Sequence, residues 1–278
     1  KTAVLGAQAV DAMIAPEARR LGLFVKLNQQ TYQDMDQAGI VLDYALPNPA
    51  SQAGFINRLG WKTVGQVPRF TKYLHFSRRP GLPYTPGRRF ASDLEIRQAN
   101  QFDPQVDQLW QAAATQFPIA VQKDHTYLTW RYTKNPQKHY LLLEAWRGEQ
   151  LTGIAVLSFK DLAQHHSAAL AEWLFLPEDP VTGKALLTVA EGQARLRGAT
   201  RLHCWMLSAQ QDACRLLRRA GYLFFDASHG LTSLKKRLPG SLRYTNPLII
   251  RTLPGADLVP DPVQFKNWYL SMGDHDYY

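Results

Sequence analysis

The chain has 278 residues, 45% of them hydrophobic, 11% aromatic and 20% charged, with a formal net charge of +9. That apolar content is enough for a packed core and excludes an intrinsically disordered chain, and the length allows one large domain or two ordinary ones. Two cysteines make neither a disulfide framework nor a zinc spacing, no run nears the ~18 apolar residues of a membrane span, and no DNA-reading motif accompanies the basic charge.

The opening "KTAVLGAQAVDAMIA" loosely mimics a signal peptide, but Gln8 and Asp11 interrupt its apolar run. Residues 9–15 alternate without breakers and read as a strand. From Gly22 to Ala38 the residues Leu23, Phe24, Leu27 and Met35 fall on one helical stripe, which Gly39 stops. "IVLDYAL" (40–46) fits a short buried strand, "PNPAS" (47–51) breaks it, and Ala53–Leu59 predicts a short helix ended by Gly60. "WKTVGQVPRF" then resumes extended structure. The order β-α-β-α-β favours parallel neighbours in a mixed sheet. "SRRPGLPYTPGRR" (77–89) has the composition of a linker. Further on, 101–117 is patterned as a helix and 139–159 as two strands joined near Gly148 and Glu149.

The chain also repeats itself. "VDAMIAPEARRLGLFVKL" (10–27) aligns with "AEWLFLPEDPVTGKALL" (171–187), matching Pro16, Glu17 and Gly22 to Pro177, Glu178 and Gly183. At the same offset "FINRLGW" (55–61) meets "LLRRAGY" (216–222), matching Arg58 and Gly60 to Arg219 and Gly221. Ordered blocks at one spacing indicate two copies of a supersecondary unit. Residues 91–170 place a helix and two strands ahead of the second copy, and the first copy has no counterpart before residue 9. The expected layout is therefore a first domain at 1–76 lacking its N-terminal strands, a linker at 77–90, a second, degenerate domain at 91–240 and a C-terminal extension at 241–278.

The residues "PEARRLGLFVKL" and "NPASQAGFINRLGW" together resemble the Gcn5-related N-acetyltransferase (GNAT) superfamily. Arg19-x-x-Gly22-x-Phe24 is similar to its Gln/Arg-x-x-Gly-x-Gly/Ala acyl-CoA motif. Residues 48–61 are similar to its Asn-x-x-Ala-x-x-x-Tyr-x-x-x-Gly-Phe block, and the details look closest to bacterial proteins with two GNAT domains in tandem. The resemblance implies an α/β (α+β) fold of two tandem domains with mixed central sheets, and a cofactor that is acetyl-CoA or another acyl-CoA. A loop opening a helix points free N–H groups and the positive dipole end at an anion, glycine admits close approach, and arginine binds phosphate oxygens bidentately. Arg19, Arg20, Leu21, Gly22, Leu23 and Phe24 are thus the expected diphosphate loop.

The same resemblance implies that backbone groups at Met13, Ile14 and Ala15 line the pantetheine arm and the thioester carbonyl, where an N–H would stabilise the oxyanion. It also implies cofactor contacts by Asn48, Ser51 and Phe55. Phe24 departs from the motif's small residue, and Phe55 replaces the tyrosine that serves many relatives as general acid. Asp11 is the candidate base, with Asp43 and Tyr44 as secondary ones. The second copy carries Pro180 and Val181 in place of Arg19 and Arg20, and Ala209 in place of Asn48, so strong CoA binding is not expected there. "KDHTYLTWRY" (123–132) is either a structural segment of core aromatics or part of an acceptor pocket. Neither His165-His166 nor the terminal "GDHDYY" predicts a metal site.

The activity this implies is acyl transfer, in the first instance acetyl, by direct attack of an amine on the thioester. The acceptor would be a small molecule or envelope sugar, the partners would include no DNA and no membrane span, and the setting would be the cytoplasm. Two alternatives stand beside it: a non-catalytic CoA-binding or interaction module, and an aminoacyl-tRNA-dependent transferase of cell-wall synthesis, which the +9 charge permits.

Overall fold

The computed structural model describes residues 3–74, 93–159, 163, 166–225 and 246–275. The expected linker at 77–90, His165 and residues 276–278 lie outside the described residues. Two compact units emerge, one from 3–67 with 246–267 and the other from 68–225 with 268–275.

The first unit runs through strand Gly6–Gln8 (β1), helix Leu23–Gln37 (α1), strand Leu42–Ala45 (β2), helix Pro49–Leu59 (α2) and strand Lys62–Val67 (β3). Strand Asn246–Thr252 (β11) enters between β2 and β3, giving the order β1-β2-β11-β3. β1 and β2 are parallel, and β11 is antiparallel to both its neighbours. Phe55 anchors the core of this unit. It is 2% exposed and stands between Phe24 and Trp61, with ring centroids 5.3 and 4.9 Å away. The Trp61 indole N–H donates to the Tyr32 hydroxyl at 2.7 Å, tying α1 to the end of α2.

Two local expectations change. The strand expected at 9–15 ends at Gln8, and 10–15 is irregular, with Asp11 at φ 50°. The cause is the short partner. β2 stops at Ala45 and is followed by Pro47 and Pro49, so the last pairing contact is the Ala9 amide on the Tyr44 carbonyl at 2.9 Å. The second helix starts at Pro49 rather than Ala53, because Asn48 caps it and proline suits the first helical turn.

The second unit contains strands Arg69–Tyr73 (β4) and Leu94–Ala99 (β5), helix Val106–Ala114 (α3), and helix His125–Leu128 (α4) continued by a π-helical turn at Thr129–Thr133. It goes on with strands Tyr140–Arg147 (β6), Gln150–Ser158 (β7) and Ser167–Phe175 (β8), helix Pro180–Leu196 (α5), strand Arg201–Trp205 (β9), helix Gln211–Arg219 (α6) and strand Leu223–Phe225 (β10). The seven-stranded sheet has the order β10-β4-β9-β8-β7-β6-β5, antiparallel except at β8/β9. Alternation along the strands builds a core on each face. Leu143, Leu157, Trp173 and Leu186 pack in one, and Trp110, Leu142, Ile154 and Leu174 in the other.

The unit boundaries differ from those expected at 76, 91 and 240. β4, placed by the sequence in the first domain, pairs in the second sheet between β9 and β10, whereas β11, placed in the extension, completes the first sheet. Each sheet thus takes a strand from beyond its own sequence block. Hydrophobic pattern carries no information on which sheet receives a strand.

The two parallel pairs open in the same way. β8 is paired with β9 only from Ser167 to Leu170, leaving 171–175 splayed from it, just as the chain after Ala9 leaves β2. In the second unit the segment 268–275 packs against that region, beside a cavity of about 370 Å³ lined by Trp173, Phe175, Met206, Ala209 and Tyr269. Trp268, Tyr269, Leu270 and Met272 are buried, and Tyr269 stacks on Phe117 at 4.1 Å. The Lys123 ammonium lies 2.7 Å from Glu172 of β8 and also binds Asp274. Arg131 donates to the carbonyls of Gly273 and His275 at 3.0 and 2.9 Å. Gly273 is held so closely that a Cβ there would lie 1.7 Å from the Tyr132 hydroxyl. Lys123, Arg131 and Tyr132 therefore serve as a socket for the segment 268–275. Burial alone would lower the Lys123 pKa, but the Asp274 and Glu172 carboxylates outweigh it and hold the ammonium charged.

Candidate functional site

The entrance of α1 is built by two departures from ordinary backbone. Arg20 sits at φ 70° and Gly22, the N-cap, at φ 72°. Only glycine takes that conformation without cost, and an arginine held in it marks local strain of the kind that collects at ligand clamps. No side chain caps α1, and its first turn holds no acidic residue. The amides of Leu23 and Phe24 donate to nothing among the described residues. A Cβ placed on Gly22 would meet nothing within 4 Å, so the entrance is open.

That entrance faces a cavity of about 460 Å³ lined by Ile14, Ala18, Arg19, Arg20, Gly22, Leu23, Phe24 and Arg58. Arg19 Nε donates to the Ile14 carbonyl at 3.2 Å, which fixes the guanidinium beside the loop. Arg20 and Arg58 have no hydrogen bond or ion pair among the described residues. Three guanidinium groups and a helix N-terminus therefore surround a space lined by no carboxylate among the described residues. Such an arrangement attracts a multiply charged anion.

The expected site residues divide. Ile14, Arg19, Arg20, Gly22, Leu23 and Phe24 are together at the cavity. Leu21 and Met13 are exposed and outside its lining, as are Ala15 and Asp11. Asn48 does not reach it either: its side-chain oxygen accepts the amides of Ala50 and Ser51 at 2.9 and 3.0 Å, and the Ser51 hydroxyl turns back onto Asn48. Both belong to the cap of α2. Phe55 is a core residue, because its position on α2 points it between Phe24 and Trp61 rather than toward the cavity. Asp43 is buried opposite Arg251 on β11, with its Oδ1 unpartnered among the described residues; burial, against the pull of Arg251, raises its pKa to about 7. Ala18 and Arg58 complete the lining and were not singled out as ligands by the sequence. Arg58 was visible only as one of the positions that repeat.

At the equivalent entrance in the second unit the anion is already present. Asp179 caps α5, accepting the Thr182 amide at 3.1 Å, and binds Arg147 through Nε and Nη2 at 2.9 and 3.1 Å. Burial alone would raise the Asp179 pKa, but the bonds from Arg147 and Thr182 outweigh it and hold the carboxyl below its usual range. Pro180 removes a donor from the first turn, and the Phe175 ring lies against Gly183, 2.8 Å from where a Cβ would stand. Among the described residues no group of three or more His, Cys, Asp or Glu could hold a metal ion. No helix among the described residues is long and apolar enough to cross a membrane.

Neither protein-family models nor curated proteins give a match to the sequence. Solved structures do. A tandem GNAT protein from the clavulanic acid biosynthesis pathway matches over 91% of this chain and 77% of its own, with a TM-score of 0.57 at 14% identity. A GCN5-related N-acetyltransferase from Kribbella flavida matches over 88% of this chain and 52% of its own, with a TM-score of 0.51 at 14% identity. A fungal glucosamine N-acetyltransferase region within a multi-domain GH3 β-N-acetylglucosaminidase matches over 88% of this chain and 29% of its own, with a TM-score of 0.53 at 13% identity. The chain spans about half the length of the first of the solved structures it matches, which it covers to 52%. At such identities the likeness is one of fold: the chain shares the fold of GCN5-related N-acetyltransferases, a tandem one among them.

Proposed function

We propose that the first unit binds an acyl-CoA, in the first instance acetyl-CoA, at the entrance of α1, and that the chain transfers the acyl group to an amine. The observation that carries this reading is the open, glycine-capped entrance ringed by Arg19, Arg20 and Arg58, two of which have no partner among the described residues. Arg19, Arg20 and the first amides of α1 would hold the diphosphate. The irregular segment 10–15 supports the rest, since the amides of Met13, Ile14 and Ala15 donate to nothing among the described residues and are free to meet the pantetheine arm and the thioester oxygen.

In the reaction the amine nitrogen attacks the thioester carbon, the carbon–sulfur bond breaks, and the thiolate leaves. Phe55 offers no proton to that thiolate, and none is required: a thiol ionises near ~8.5, so the thiolate is a competent leaving group. The proton lost by the amine passes to water or to the exposed Asp11. Small amines and amino sugars are the acceptor class, and the cytoplasm is the compartment in which the buried, reduced Cys204 and Cys214 would persist.

One observation favours a second reading. With Phe55 in the core, no side-chain acid stands at the cavity, as suits a module that binds CoA without turnover. Thiol release from acetyl-CoA over a panel of amines and amino sugars separates the two. Acceptor-dependent release supports the transferase. Saturable CoA binding with no release above the hydrolytic background for any acceptor would leave the binding module.

A further inference from the structure

The cavity at α1 carries more positive charge than a diphosphate accounts for, and the excess comes from a different element. Arg19 and Arg20 precede the helix in one continuous loop, with the free amides of Leu23 and Phe24 beside them. Arg58 reaches the same cavity from the last turn of α2. It is exposed, has no ion pair or hydrogen bond among the described residues, and makes no ring contact there. Its neighbours on α2 do structural work, Phe55 in the core and Gly60 at the C-terminal cap, where the glycine amide bonds the Phe55 carbonyl. Arg58 has no such role.

A diphosphate diester linkage brings about two negative charges, which Arg19, Arg20 and the helix dipole of about half a unit balance. A phosphomonoester brings ~1.5 to 2 more at neutral pH. A volume of about 460 Å³ is ample for more than one phosphate group. Resting on the acyl-CoA reading above, we propose that Arg58 is a specificity residue that binds the ligand's phosphomonoester, the 3′-phosphate of the CoA ribose, separately from the diphosphate held at α1. The site thereby prefers CoA to the same molecule without that group.

The test compares CoA with 3′-dephospho-CoA on the full chain by calorimetric titration, for the parent, Arg58→Ala and Arg58→Lys. The parent is expected to bind CoA roughly tenfold tighter than dephospho-CoA, the scale of one charge-assisted contact at an exposed site. Arg58→Ala should reduce that ratio to about one, with the larger loss falling on CoA. Arg58→Lys should restore part of the ratio, because the ammonium keeps the charge and loses the bidentate fork. Equal weakening of both ligands in Arg58→Ala, or an unchanged ratio, overturns the assignment of Arg58 while the acyl-CoA reading stands. Failure of the parent to bind either ligand overturns both, and circular dichroism of each variant shows that the comparison is made on folded protein.

Discussion

The two units present one structural device, a helix entered just after a parallel strand pair opens, in opposite electrostatic states. At α1 the N-cap is a left-handed glycine, the first turn has no acid, and two arginines face the cavity without partners among the described residues. At α5 the N-cap is Asp179, its charge is spent on Thr182 and Arg147, proline removes a donor, and a phenylalanine ring covers the glycine. The segment 268–275 packs beside β8 and leaves a cavity of about 370 Å³ there, whereas the amides of Met13, Ile14 and Ala15 after β1 donate to nothing among the described residues. One fold thus supplies either an open or a self-satisfied helix entrance, and what decides is the charge at the cap.

The comparison is most severely tested at the socket. Lys123→Met leaves Glu172 and Asp274 buried without their cation, and the loss expected for breaking such a pair is about 3–5 kcal/mol. Urea denaturation of the second unit should register it as a shifted midpoint. A change below about 1 kcal/mol, the scale of an exposed ion pair, would mean that the tail is not locked as described.

Giving the first unit the second unit's cap is the next largest test. Gly22→Asp places a carboxylate at the entrance of α1 beside the three arginines. CoA affinity should fall at least tenfold, about 1.4 kcal/mol, with the fold intact by circular dichroism. The converse change, Asp179→Ala, should create no CoA site, because Pro180 and Phe175 remain.

The smallest effect concerns Asp43. Its carboxyl titrates near 7 in the folded unit, against 3.8 for the ordinary group. Between those values the folded chain retains a proton that the unfolded chain has lost. The associated stability is therefore complete below about pH 4 and is lost as the pH rises through 7. Asp43→Asn removes this dependence. The variant's melting temperature relative to the parent should rise between pH 5 and pH 8, and a constant difference would show that Asp43 does not titrate in that window.

Much of the site was legible because its signals are local. Arginines before a glycine, a helical stripe and a stopping glycine all lie within 19–39, and the structure makes them the entrance, body and end of one helix. The repeat was legible for the same reason, and it identified the contrast between Pro180 and Arg19. Long-range contacts were not. Nothing near residues 69–73 or 246–252 says that they enter each other's sheets, and nothing in "SMGD" announces that Asp274 meets Lys123. Asn48 and Phe55 lie outside the cavity lining, since a capping asparagine and a core phenylalanine fit the same motif pattern as ligand contacts.

The central claim is that α1 receives the diphosphate of CoA, and titration of CoA into the full chain and into its Arg19→Ala/Arg20→Ala variant tests it most directly. The parent should show one saturable site that weakens as salt is added, and the variant should bind at least tenfold less tightly, the scale of a lost bidentate phosphate contact. Equal affinity in the two proteins, or binding abolished only by substitutions in the second unit, would contradict the account.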